Sequence, residues 1–331
     1  MRLGILGAGS WGTALANVFS EKVNTVNIWT RNEEVAKSVN NLKENRKYLP
    51  GILLNENIIA STDINNVAKN SDVLIVAIPS QVIREVLSTI NKDCITGKDI
   101  ITASKGIEVD TLKLTSQVIR EVLAVPEQNI FVLSGPSFAK EVAAKLPTAI
   151  TLAGKLEKAE KLQEKLMTDN FRIYVSDDKT GAELGGAVKN VIAIATGVSD
   201  GLGLGNNARA SLITRGLHEI SRLTSVYGGK KETLYGLSGM GDLVLTATGD
   251  LSRNRTFGYL LGKGLSVKQA LKEVGQVVEG YKTSKALKAI SDKNKLELPI
   301  SQAVYKLLYE GISPIEAVKL LMERQPKREF D

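Results

Sequence analysis

The sequence predicts an α/β N-terminal half built on a doubly wound, mostly parallel sheet, followed by an all-α C-terminal half. Three observations carry that expectation. Short β-branched runs alternate with helix-length amphipathic segments from residue 2 to about 176. Strand signals stop after Asp177-Asp178-Lys179. A chain of 331 residues with 43% apolar content is long enough for about two domains. The expected division is 1–178, the α/β half, and 179–331, the helical half.

The elements follow in order. The opening run Arg2-Leu3-Gly4-Ile5-Leu6-Gly7 holds one basic residue and too few apolar ones for a signal peptide or a membrane span, so it reads as a strand over 2–7. Further strands are expected at 25–30, 57–60, 72–78, 99–103, 129–133, 148–153 and 171–175. Helices at 11–20, 81–90 and 111–123 connect them as βαβ units. Beyond 178 the pattern is helical with glycine punctuation, and Ser313-Pro314 places a cap before proline at a first helical position. With no Pro/Ser-rich linker, the junction is expected to be tight and the ligand site to lie between the halves. Lys327-Arg328-Glu329-Phe330-Asp331 reads as a frayed end.

Composition excludes several functions. The net charge of +7 arises from 43 Lys and Arg against 36 Asp and Glu, with the signs alternating along the chain and aromatics at only 5%. That is a solvated surface biased toward anionic ligands, without the basic clusters and stacking aromatics of a nucleic-acid binder. Cys94 is the only cysteine, which rules out an intrachain disulfide or multi-cysteine zinc site and fits a reducing cytoplasm. His218 is the only histidine, and no metal site is expected.

The loop Gly7-Ala8-Gly9-Ser10-Trp11-Gly12 follows an apolar strand and opens a helix, the context in which GxGxxG binds a dinucleotide. Gly7 permits the turn, Gly9 lets backbone approach a pyrophosphate, and Gly12 allows close helix-strand packing, with phosphate at the helix N-terminus. This makes the N-terminal half Rossmann-like and the cofactor NADP(H), NAD(H) or both. Where an NAD-only protein carries an acidic residue near the end of the second strand, this chain has Arg31, whose planar fork suits a 2′-phosphate. Arg31 also reads as a surface arginine just ahead of a cap at Asn32.

Three more strands end in Ala77-Ile78-Pro79-Ser80, Ala103-Ser104-Lys105-Gly106 and Ser134-Gly135-Pro136-Ser137, which should converge on the crevice beyond the carboxyl ends of the sheet. Lys105, among small residues, is placed to meet a substrate anion there. In the helical half, Lys189 is the one charge within Leu184 to Gly197, an otherwise apolar and small-residue helix. Desolvation depresses the pKa of such a lysine and suits it to acid-base work, although a structural pairing or snorkelling lysine gives the same pattern. Asp242, in the turn Ser238-Gly239-Met240-Gly241-Asp242, reads as a charge partner for Lys189 or as a helix cap, with Thr246 at helical spacing behind it. Arg253 and Asn254 offer planar donors for a phosphate, or with Arg255 form a solvated face.

Taken together, GAGSWGTALA (7–16), RKYLPG (46–51), SKGIE (104–108), SGPSFAKEV (134–142), GGAVKNVIAIATG (185–197), GNNARASLITRGL (205–217), GMGDLVLT (239–246), SRNR (252–255) and VEG (278–280) resemble the bacterial NAD(P)-dependent glycerol-3-phosphate dehydrogenase family over nearly the whole chain. The resemblance implies reversible hydride transfer between dihydroxyacetone phosphate and sn-glycerol 3-phosphate, feeding phospholipid synthesis. It implies that Ser10, Trp11, Arg31, Lys105, Ala139, Arg253, Val277 and Glu279 line the dinucleotide. Substrate is assigned to Lys105, Gly135, Ser137, Lys189, Asp242, Ser252, Arg253 and Asn254, with Lys189 the proton acceptor. A homodimer is expected on the same ground. Ala208 stands where the family more often has threonine, so a cap or polar contact is expected to be missing, and segment 247–251 departs from the usual pattern. His218 matches no functional motif and reads as a surface-helix residue. The competing readings are a related hydroxyacid dehydrogenase and a non-catalytic NADP sensor.

Overall fold

The computed structural model describes residues 1–326 together with Arg328 and Glu329, so of the expected frayed end Lys327, Phe330 and Asp331 lie outside the described residues. All eight expected strands are present: β1 (Arg2–Leu6), β2 (Thr25–Trp29), β3 (Ile58–Ser61), β4 (Val73–Val76), β5 (Asp99–Thr102), β6 (Ile130–Ser134), β7 (Thr148–Ala153) and β8 (Phe171–Ser176). They form one sheet in the order β3-β2-β1-β4-β5-β6-β7-β8. Only the β6–β7 pair is antiparallel. Neighbouring residues of a strand face opposite sides: Val73 and Ile75 of β4 enter one core, Leu74 and Val76 the other. Helices cover both faces at the centre, and that is why β4 and β6 are buried along their whole length, whereas β3 and β8 at the edges alternate buried with exposed residues.

The helices among the strands are α1 (Ser10–Phe19), α2 (Glu33–Leu42), α3 (Ile64–Lys69), α4 (Ile83–Leu87), α5 (Thr115–Leu123), α6 (Ala139–Ala143) and α7 (Leu156–Leu166). Two expected helices are shorter than their apolar periodicity suggested. Residues 80–82 form a 3-10 turn after Pro79, so α4 starts only at Ile83. The helix expected from 111 begins at Thr115, because Leu112 takes a positive φ of 60° and Glu108 and Lys113 close a turn ahead of it.

After Ser176 the described residues hold no strand, and the chain continues as α8 (Lys179–Gly201), α9 (Gly205–Val226), α10 (Asp242–Thr248), α11 (Arg253–Gly262), α12 (Val267–Val274), α13 (Glu279–Asn294), α14 (Pro299–Tyr305) and α15 (Pro314–Met322). Their apolar faces form a second core around α8. No helix among the described residues is long and apolar enough to cross a membrane. Ala208 falls within the first turns of α9, whose cap position is Leu204, so the departure at Ala208 removes no helix cap.

The spine α8 is close to all-buried, and glycines decide how near its neighbours come. Gly197 and Gly201 of α8 face Gly258 and Gly262 of α11, each pair four residues apart. A Cβ on Gly258 would lie 2.1 Å from the Ile194 carbonyl oxygen, and one on Gly197 would lie 2.1 Å from that of Arg255. The two backbones therefore touch, and this contact delivers the start of α11 to the middle of α8. Gly258→Ala is expected to destabilise the protein by about 3 kcal/mol through overpacking, read as a fall in the denaturant midpoint at unchanged slope.

Candidate functional site

The order of the sheet reverses between β1 and β4, the switch point beyond which ligands bind in doubly wound folds. Gly7 sits there with φ 121°, and its N–H donates to the Trp29 carbonyl. A Cβ on Gly12 would come within 1.9 Å of the Gly7 oxygen, whereas one on Gly9 would meet nothing within 4 Å. Gly12 thus serves packing, and Gly9 leaves open space in front of α1. No acidic residue or side-chain cap occupies the first turn of α1. An open cradle with uncapped amides fits a dinucleotide pyrophosphate.

The other strand-end turns converge on the same edge. Trp11 Nε1 donates to the Ala103 carbonyl at 3.2 Å, and Ser104 Oγ donates to that of Ile78 at 2.6 Å. Arg31 is exposed at the carboxyl end of β2, one residue before Asn32, whose side chain accepts from Val35 N and caps α2. Both readings of that position, strand-end cation and cap neighbour, describe the same place. Ala139 opens α6, and Val277 is half exposed just before α13.

Sequence reasoning missed Asn45. It is fully buried, and its Nδ2 donates to the Ala8 carbonyl and to Thr13 Oγ1, both at 2.8 Å, pinning the 43–54 excursion against the glycine loop. Ser10 Oγ, donating to the Tyr48 carbonyl at 2.6 Å, closes the same contact. Only the neighbouring string RKYLPG signalled it.

Opposite the cradle, α8 carries Lys189, whose side chain is 7% exposed. Its Nζ donates to Asp242 Oδ1 at 2.7 Å and also to Thr246 Oγ1. The other oxygen of Asp242 accepts from Lys105 Nζ at 2.6 Å, and Lys105 donates in addition to the Gly135 carbonyl. One carboxylate thus joins a lysine from the sheet to a lysine from the spine. Burial pushes the Lys189 ammonium down to about 8, with Asp242 opposing and Lys105 and Arg253 reinforcing the fall.

This arrangement has local causes. Asp242 is the first residue of α10, directly after a π-turn at Leu237–Gly241. That turn can press on α8 because Gly185 has no side chain: a Cβ there would lie 2.3 Å from the Ser238 oxygen. Thr246 falls four residues after Asp242, so both reach the same lysine. That spacing was the sequence signal for Thr246. Glu183, one and a half turns before Lys189, accepts from Thr115 Oγ1 and from the Ser116 N–H and Oγ, anchoring α8 on the first turn of α5. Burial raises its carboxyl pKa against those hydrogen bonds.

The remaining assigned residues surround this pair of lysines. Gly135, at φ 153°, directs its carbonyl to Lys105 and to Ser137 Oγ. Ser252 caps α11 by accepting from Arg255 N at 3.2 Å. Asn254 is more committed than its planar donors suggested. Its Nδ2 donates to Asn190 Oδ1 at 3.0 Å and its Oδ1 accepts from Gly280 N at 2.9 Å, leaving one N–H for a ligand. Arg253 makes no hydrogen bond or ion pair with the described residues. It is exposed at the start of α11, and desolvation lowers its pKa against the pull of Glu279. Glu279 accepts from Ser80 N at 3.1 Å and Ser80 Oγ at 2.6 Å, joining the β4 turn to α13; burial raises its pKa. Segment 247–251 ends α10 and turns into α11, with Asp250 paired to Arg255. His218 lies half buried on α9, where desolvation first and then Arg215 and Arg222 lower its pKa.

With this geometry in place, comparison with known proteins is informative. The family model for the NAD-dependent glycerol-3-phosphate dehydrogenase N-terminus matches residues 2–160, and that for its C-terminus matches 178–319. A glycerol-3-phosphate dehydrogenase [NAD(P)+] of Carboxydothermus hydrogenoformans is 44% identical, over 100% of this chain and 99% of its own. That of Syntrophobacter fumaroxidans is 47% identical, over 99% of this chain and 97% of its own. The crystal structure of glycerol-3-phosphate dehydrogenase from Coxiella burnetii superposes with a TM-score of 0.93 at 42% identity, covering 98% of this chain and 99% of that one.

Proposed function

The chain belongs to the NAD-dependent glycerol-3-phosphate dehydrogenase family, and from that premise we propose how its own residues carry the reaction. It is an NAD(P)-dependent oxidoreductase that interconverts sn-glycerol 3-phosphate and dihydroxyacetone phosphate. The bound nicotinamide supplies or accepts the hydride. In reduction, protonated Lys189 gives its proton to the ketone oxygen; in oxidation, neutral Lys189 takes the hydroxyl proton. The observation that carries this reading is Lys189 itself, a buried amine shifted to about 8 and held toward the crevice by Asp242 and Thr246. Such a group changes protonation near neutral pH, as a reversible acid and base must.

Lys105 adds a second cation beside the reacting oxygen, and Asp242 balances both amines. Arg253, with the remaining Asn254 N–H, Ser252 and the backbone near Gly135 and Ser137, holds the phosphate and fixes the ketone in hydride range. Gly7, Gly9, Ser10 and Trp11 would hold the dinucleotide, with Gly12 packing the loop beneath it and Arg31, Lys105, Ala139, Arg253, Val277 and Glu279 around it. We place the division between the two domains at 178 and 179, between β8 and α8. Run as a reduction, the reaction supplies glycerol 3-phosphate for phospholipid synthesis, carried out by a cytoplasmic homodimer.

Loss of nicotinamide absorbance from NADPH on adding dihydroxyacetone phosphate to the purified protein tests the reading, and absence of turnover would sink it. Arg31→Ala is expected to raise the KM for NADPH about tenfold while leaving that for NADH unchanged, since only the former carries the 2′-phosphate. An unaltered NADPH/NADH ratio refutes that contact.

A further inference from the structure

We propose that Arg255, locked by the buried carboxylate of Asp200, is the positioning residue that holds Arg253 in place for the substrate phosphate. The inference rests on the reading of Arg253 as a phosphate ligand. It concerns a residue that faces away from the reacting groups.

Asp200 stands near the C-terminal end of α8, and its side chain is 6% exposed. Its Oδ1 accepts from Arg209 Nε and Nη2 of α9, at 2.9 and 2.7 Å. Its Oδ2 accepts from Arg255 Nε of α11 at 2.8 Å. One carboxylate therefore ties three helices together, and Arg255 spends a further donor on Asp250 at 2.8 Å in the turn before α11. Two guanidinium groups thus meet two carboxylates at this corner, Asp200 buried and Asp250 exposed.

The first turn of α11 is thereby held at the two residues that follow Arg253. Asn254 is bound to Asn190 of α8 and to the Gly280 N–H. Arg255 is bound to Asp200 of α8, and its own carbonyl rests where Gly197 leaves no room for a side chain. Arg253, between the clamp and the cap Ser252, is the one guanidinium of this turn with no hydrogen bond or ion pair to the described residues. Two anchored neighbours and one open fork are what a preorganised anion ligand requires, because ordering is complete before the anion arrives. Without the Asp200 anchor, the start of α11 keeps the Asn254 contacts and the glycine packing on α8 but loses the buried ion pair that fixes its first turn to that helix.

Arg255→Met, Arg255→Lys, Asp250→Asn and Arg253→Met proteins test this by steady-state kinetics and by competitive inhibition with inorganic phosphate. Arg255→Met is expected to raise the KM for dihydroxyacetone phosphate and the inhibition constant for phosphate about tenfold each, with the KM for NADPH rising no further than it does in Arg253→Met, since Arg253 also lines the dinucleotide. Arg255→Lys recovers part of the loss through the Asp200 contact. Asp250→Asn stays within about twofold, since Asp250 is itself 97% exposed. Sensitivity of Arg253→Met with insensitivity of Arg255→Met overturns the positioning role. So does a fall in kcat at unchanged KM values, or a rise in the KM for NADPH beyond that of Arg253→Met, as general damage would give. If Arg253→Met leaves both phosphate readouts untouched, the phosphate reading itself fails.

Discussion

Replacing Lys189 by methionine is expected to lower kcat for reduction of dihydroxyacetone phosphate about 10³-fold, the scale of losing a positioned proton donor that also stabilises an oxyanion. KM values should change little, because Lys105 and Arg253 remain. Stability should hold: methionine fills a similar volume, a buried charge disappears, and Asp242 keeps Lys105 as its partner. An unaltered melting temperature with lost turnover separates chemistry from folding. In the native protein the lysine also predicts opposite pH limbs. Reduction needs the ammonium, so its rate falls as pH rises through about 8; oxidation needs the amine, so its rate rises through the same value. Both limbs should vanish from the methionine variant's residual activity. Native-like turnover in that variant removes Lys189 from the mechanism.

Legibility of this site in the sequence followed the range of the interactions. Strands such as 148–153 and 171–176 announce themselves through local β-branched runs, and the glycine loop through its strand-helix context. Lys189 was legible because a lone charge inside an apolar helix must be accounted for. The Asp242–Thr246 spacing follows from helix geometry alone. The contact of Glu279 with Ser80 spans 199 residues, and no local pattern joins them. The same holds for Asn45 beneath the glycine loop, and for Asp200 and Arg255, whose meeting depends on how closely α8 and α11 approach. That distance is set by four glycines that read in the sequence only as helix weakeners. Helix starts at 83 and 115 went astray because a proline turn and a positive φ interrupt an apolar period that itself runs on.

The second large effect is expected at Asp242. Asp242→Asn keeps the shape and leaves an amide oxygen for Lys189, but withdraws the charge that two lysines share. Uncompensated charge in the interior costs about 3 kcal/mol, so the unfolding midpoint should drop. The stability loss should be largest where both amines are charged and shrink at alkaline pH. Asp242 is also what holds the Lys189 pKa up against burial, with Lys105 and Arg253 pressing it down. Removing the carboxylate therefore drops it below about 8, and the reduction limb moves toward acid. The protonated fraction at neutral pH falls with it, and reduction should slow by about 10-fold or more. Oxidation, which needs that neutral amine, should suffer less at the same pH. Equal losses in both directions with an unmoved limb would mean that Asp242 only shapes the pocket; an acid shift with unequal losses identifies it as the group that sets the proton affinity of Lys189.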